Sequence, residues 1–170
     1  FMDNDGGAVG AILVTDGGTA TVAQGIFKFN RGRAADTAAG AIFATSGGTV
    51  NAVQCEFTRN SASAPYAAAV AIFASDHAVV HGTQCTFDRN SATSQVAAGA
   101  VYADGAVEVT LADATLSGNS ADTHPTAGST FGAGAVYADG SSTSLTRTNI
   151  TGNKAAGGTG VTEANYVDAL

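Results

Sequence analysis

The sequence predicts an all-β chain wound as a parallel solenoid, and three observations predict it. First, an apolar residue stands three positions before an asparagine six times: Phe1 before Asn4, then Phe27-Lys28-Phe29-Asn30, Phe57-Thr58-Arg59-Asn60, Phe87-Asp88-Arg89-Asn90, Leu116-Ser117-Gly118-Asn119 and Ile150-Thr151-Gly152-Asn153. The last five asparagines are 30, 30, 29 and 34 residues apart. Second, Gly10-Ala11-Ile12, Gly40-Ala41-Ile42, Val70-Ala71-Ile72, Gly99-Ala100-Val101 and Gly134-Ala135-Val136 keep step with that series. Two motifs locked in one period mean a repeat architecture. Third, the residues between the motifs alternate apolar and polar and are rich in β-branched types, while no useful window has helical periodicity.

Each repeat opens on a short apolar strand such as Ala41-Ile42-Phe43-Ala44 or Ala135-Val136-Tyr137-Ala138. A turn with Asp or Gly follows, at Asp16-Gly17-Gly18, Ser46-Gly47-Gly48, Asp76-His77, Asp104-Gly105 and Asp139-Gly140. An alternating stretch then runs into the asparagine motif, as from Thr49 to Phe57. After the asparagine a polar Ala/Ser-rich loop of variable length returns to the next repeat, longest beyond Asn119 around Asp122 to Phe131. Two or three strands per coil are expected. A propeller blade needs roughly 40 residues and a leucine-rich repeat needs several leucines per unit, so neither fits. In a solenoid, like stacks on like. Phe27, Phe57, Phe87, Leu116 and Ile150 form one core column, and Ile12, Ile42, Ile72, Val101 and Val136 another. Asn30, Asn60, Asn90, Asn119 and Asn153 form an internal ladder in which each amide bonds its neighbours above and below.

Composition narrows the function. The 170 residues carry a formal charge of −7 with a pI near 4.5. Lys28, Arg31 and Arg33 are the one basic cluster, too few to neutralise a nucleic-acid backbone. No run of 18 apolar residues exists, so no membrane span is expected. The chain reads as a single domain, 1–170, and as a segment of a longer or processed protein, because it begins inside a repeat without Met. Its last stretch, Ala164 to Ala169, resembles the strand at Ala135 to Gly140 with Asn165 in a core position, so a sixth coil is left open there.

Few residues offer chemistry. Cys55 and Cys85 occupy one column, roughly 4.8 Å apart; they are either a disulfide or a stack of buried thiols, and their spacing alone permits both. The turn acids Asp16, Asp76, Asp104 and Asp139 fall in nearly one column. They offer Ca²⁺ some oxygens, but Asp-Gly also makes a tight turn unaided, so no cofactor or metal is expected. His77 and His81 have no supporting ligand cluster. Arg59 and Arg89 stack as a solvated rib, and the Thr19–Thr49 row that an ice-binding face would need is broken by Asp76-His77-Ala78-Val79. Asn149-Ile150-Thr151 is a glycosylation sequon whose asparagine should point outward.

The paired Gly-Ala-Ile and Phe-x-x-Asn motifs resemble the repeats of chlamydial polymorphic outer-membrane proteins and, more broadly, the right-handed parallel β-helix proteins of the pectin-lyase-like superfamily. The resemblance covers residues 1 to about 153. It implies a right-handed parallel β-helix (β-solenoid), about five coils of roughly 30 residues. It also implies a secreted or cell-surface adhesin or stalk, or else a polysaccharide lyase, hydrolase or epimerase. His81-Gly82 is similar to a fragment of the polygalacturonase signature, but the paired aspartates and the Arg-x-Lys element are missing. The expectation is therefore a non-catalytic extracellular or cell-surface structural or adhesive β-helix: a stalk, adhesin or filament component. Its partners would be other protein chains, copies of itself or cell-surface glycans. The alternative is a carbohydrate-active β-helix enzyme or glycan-binding module.

Overall fold

The structure, a computed structural model, describes residues 1–123 and 131–156. All described regular structure is strand, and every strand pair is parallel: the chain is a β-solenoid of about five coils about 30 residues apart. Each full coil contributes five short strands, not two or three. In the third coil they are Ser61–Ser63, Ala67–Ala69, Ile72–Ser75, Val79–Thr83 and Thr86–Asp88. Stacking these across coils makes five sheets, numbered here in that order.

Single residues in the left-handed region make the extra corners. The stretch from Thr49 to Phe57 breaks into Thr49–Val53 and Glu56–Thr58 because Gln54 sits at φ 54°. The residue before each ladder asparagine does the same at Asp3, Phe29, Arg59, Arg89, Gly118 and Gly152, with φ between 50° and 62°. A turn after the third sheet uses two such residues in succession, Asp16-Gly17, Ser46-Gly47, Asp76-His77 and Gly105-Ala106. Side chains are strained at such angles, glycine is not. Ala106 has φ 60° and lies in the column of Gly17 and Gly47. Ala106→Gly is therefore expected to stabilise the fold by about 0.5–1 kcal/mol, seen as a higher urea midpoint at unchanged slope.

The polar segment after each asparagine is also not a loop. It forms the first two sheets, through strands such as Arg31–Arg33 with Thr37–Ala39, and Ser91–Ser94 with Val96–Ala98. Those sheets close on a cluster of small side chains, including Ala38, Ala62, Ala68, Ala92 and Ala97. At Gly40 the absence of a side chain permits this closure, whereas Val70 fills the equivalent place one coil on. A Cβ on Gly40 would lie 2.4 Å from the Val70 carbonyl oxygen and 2.8 Å from that of Ser61. Asp122 and Thr123, expected in the long loop, end a strand at Ser120–Thr123, and residues 124–130 lie outside the described residues. So does the sixth-coil stretch, residues 164–169.

The main core lies inside the third, fourth and fifth sheets. Phe27, Phe57 and Phe87 are fully buried and stack face to face, with centroids 4.7 and 4.9 Å apart, and Leu116 and Ile150 continue the column. Ile12, Ile42, Ile72, Val101 and Val136 pair in register as the second column. A third column, aromatic, runs on the opposite side of that sheet: Phe43, Phe73, Tyr102 and Tyr137, at 4.8, 4.6 and 5.1 Å. Ala67, Ala69 and Ala98 of the second sheet cover its middle, leaving Phe73 and Tyr102 buried.

Candidate functional site

The asparagines stack as a continuous ladder from Asn4 to Asn153, at the corner between the fifth and first sheets. Asn30, Asn60, Asn90 and Asn119 are buried. Each Oδ1 accepts from the backbone N–H and from the Nδ2 of the asparagine one coil earlier; for Asn90 these bonds from Asn60 are both 3.0 Å. Each Nδ2 also donates back to the carbonyl of the column residue in the preceding coil, Phe27 for Asn60 and Phe57 for Asn90. Two donors and two acceptor positions are thus filled in every middle rung. A side chain so completely used has nothing left for a ligand.

The opposite end of the fifth sheet is the more open place. Gln24, Gln54, Gln84, Asp113 and Arg147 form a left-handed corner column, φ 47° to 54°. The sequence signals this column only through the recurrence of Gln24, Gln54 and Gln84. Gln54 Nε2 donates to Gln84 Oε1 at 3.2 Å. Arg147 grips Asp113 in a bidentate pair at 2.6 and 2.7 Å, which lowers the Asp113 pKa and raises that of Arg147. Beside them Lys28 contacts Glu56 at 2.8 Å, and the Thr58 hydroxyl also donates to that carboxylate. The hydrogen bond from Lys28, then that from Thr58, holds Glu56 below the usual carboxylate range. Of these residues, Gln24, Gln54, Gln84, Glu56 and Asp113 line a shallow groove of about 770 Å³.

Cys55 and Cys85 border that groove from the core side. Both are free and buried. Their neighbours in the column are Gly25 before and Ala114 after, so the run of thiols is two long. Cys55 Sγ donates to the Val22 and Val53 carbonyls at 3.3 and 3.4 Å, and Cys85 Sγ to those of Ala52 and Thr83, both at 3.4 Å. Burial pushes the Cys85 thiol from 9.0 up to about 11, with the neighbouring Cys55 adding to the rise. A thiol that stays protonated is a poor nucleophile. Because the folded state holds this proton more tightly, its stability is complete below the unfolded pKa near 9 and falls as pH climbs toward about 11. Alkaline unfolding of the native chain is expected to include this loss, roughly 2 kcal/mol, and Cys85→Ala to lack it.

The other candidate residues do not converge. The turn acids occupy two adjacent columns rather than one. Asp104 and Asp139 pair with each other and with Ser75, whereas Asp76 takes the next position, level with Gly105. Ser46 donates to Asp76, which also contacts His77, all at the surface. His81 lies elsewhere, within Val79–Thr83. Among the described residues no three His, Cys, Asp or Glu side chains are grouped as a cation site requires. Arg59 and Arg89 are exposed; Arg59 lies over the Phe29 ring and Arg89 pairs with Asp88. The Thr19–Thr49 column continues as Val79 and Glu108, which ends the threonine row. Asn149 is exposed while Ile150 packs on the core, so the sequon presents its amide to solvent. No helix among the described residues is long and apolar enough to cross a membrane. Comparison with protein-family models, curated proteins and solved structures found no match.

Proposed function

We propose that the chain is a non-catalytic structural or adhesive segment, a stalk, adhesin or filament component working outside the cell or at its surface. The observation that carries this reading is the use of the polar interior: the buried asparagines are spent on holding coil to coil, through hydrogen bonds that repeat from Asn4 to Asn153. Among the described residues, acid, base and nucleophile are not brought together beside them. Stability built from nearest-neighbour stacking suits a rod, since coils can be added without redesigning a core. The resemblance of the Gly-Ala-Ile and Phe-x-x-Asn repeats to chlamydial polymorphic outer-membrane proteins, within the pectin-lyase-like superfamily, supports the same reading and a right-handed winding. The outward Asn149 amide is consistent with a secreted chain. Other protein chains, further copies or surface glycans are the partners such a rod would meet.

The test sets adhesion against turnover. Beads coated with the chain are expected to adhere to a cell surface, while acidic and neutral polysaccharides incubated with it stay at full length. Release of reducing ends or unsaturated sugars, lost on substituting Glu56 or Asp113 in the groove, would replace this reading with a carbohydrate-active enzyme.

A further inference from the structure

The thiol pair has a use that neither the ladder nor the rod requires. Thr86 N–H donates to the Cys55 carbonyl and Thr115 N–H to that of Cys85, both at 2.9 Å, so the two cysteines sit in strict register in adjacent coils. Each Sγ is held by the same two kinds of acceptor, one carbonyl two residues earlier and one from the preceding coil. The thiols are therefore related by one coil translation, about 4.8 Å. Phe57 and Phe87, two residues further on, repeat at 4.9 Å.

That separation decides between the ways two thiols can be joined. A disulfide needs sulfurs about 2.05 Å apart and Cβ atoms about 3.5–4.5 Å apart; the coil rise lies within the Cα range, but the nearly parallel side chains of stacked neighbours would have to swing together, and both thiols are free. Tetrahedral zinc needs four ligands, and no third His, Cys, Asp or Glu joins the pair among the described residues. Two metal–sulfur bonds of about 2.3 Å laid end to end span about 4.6 Å, which matches the spacing. The geometry points to Cys55 and Cys85 as a two-coordinate site for a soft monovalent cation of the Cu⁺ class, reached through the groove under Gln54 and Gln84. Soft thiolates select such ions, and carboxylates and amides at the rim do not compete for them. Binding exchanges two thiol protons for one cation, leaving a bis-thiolate of net charge −1 at the wall of the groove. Affinity therefore rises with pH.

Silver(I), which is redox-inert, serves as the probe. The intact chain is titrated anaerobically with Ag⁺ against free cysteine as competitor, with stoichiometry read by native mass spectrometry. The expected result is one Ag⁺ per chain and release of two protons. Cys55→Ala and Cys85→Ala should each weaken binding about 100-fold, because the second thiol no longer acts at high effective concentration. Alanine already fills this column at Ala114, so both variants are expected to fold, which their melting curves check. Two independent Ag⁺ ions per chain, or single variants that bind as tightly as the native chain, would overturn the assignment. So would ready closure of a Cys55–Cys85 disulfide by oxidised glutathione, seen as a loss of about 2 Da, because it would place the sulfurs within bonding reach.

Discussion

Asn60→Ala is expected to destabilise the solenoid by about 4 kcal/mol. The side chain makes four buried hydrogen bonds: two accepted from the Asn30 backbone and amide, one donated to Asn90 and one donated to the Phe27 carbonyl. Alanine leaves the Asn30 N–H, one Asn30 amide hydrogen and the Phe27 oxygen without these partners. Each buried orphan costs about 1–3 kcal/mol, with relaxation recovering part of the sum. Asn90 Oδ1 is less affected because the Asn60 backbone N–H still donates to it at 3.0 Å. Position in the ladder sets the magnitude. Asn4 is exposed and its side chain only donates, at 2.6 Å to Asn30 Oδ1, so Asn4→Ala is expected to cost below about 1 kcal/mol. Urea unfolding of both variants checks the contrast. Equal effects at the two positions would mean that burial of the rungs does not matter.

Phe57→Ala is expected to cost a similar amount, about 3–5 kcal/mol, by a different route. The ring is fully buried between Phe27 and Phe87, nearly parallel to both at interplanar angles of 6° and 4°. Removing it leaves a ring-sized void between two coils that the strand hydrogen bonds hold at fixed spacing, so collapse is limited. Phe57→Leu is expected to cost only about 1–1.5 kcal/mol, since Leu116 occupies the same column two coils on without disturbing it. An alanine variant with the native melting temperature would contradict stacking at this column.

The columns that sequence reading recovers are those whose residue types recur at one period and differ from their surroundings. Phe27, Phe57 and Phe87 and the five asparagines meet both conditions, and their bonds and ring contacts lie where the repeat placed them. The number of strands per coil was harder to read because its corners carry little mark. Gln54 and Arg59 turn the chain at positive φ, where glycine would have announced a turn. The second sheet was hidden for another reason. Ala67, Ala68 and Ala69 are buried on both faces, so small residues erase the period-two contrast that signals a strand. The Phe43-to-Tyr137 column recurs as clearly as the core phenylalanines. Its parity places it outside the third sheet, and only the fold-over of the second sheet explains its burial. The turn acids fall in two adjacent columns, one position apart. Asp76 itself occupies the left-handed corner, whereas Asp104 precedes the glycine that does.

The central claim is that the middle coils are locked to one another through side-chain amides kept from solvent, those of Asn30, Asn60, Asn90 and Asn119. Hydrogen exchange of the Asn30, Asn60, Asn90 and Asn119 Nδ2 protons, followed by NMR in deuterated water, measures this directly. The ladder predicts that these protons exchange only on opening of the coils, far more slowly than those of half-buried Asn51 and exposed Asn149. Exchange of all six amides at the same fast rate would contradict it.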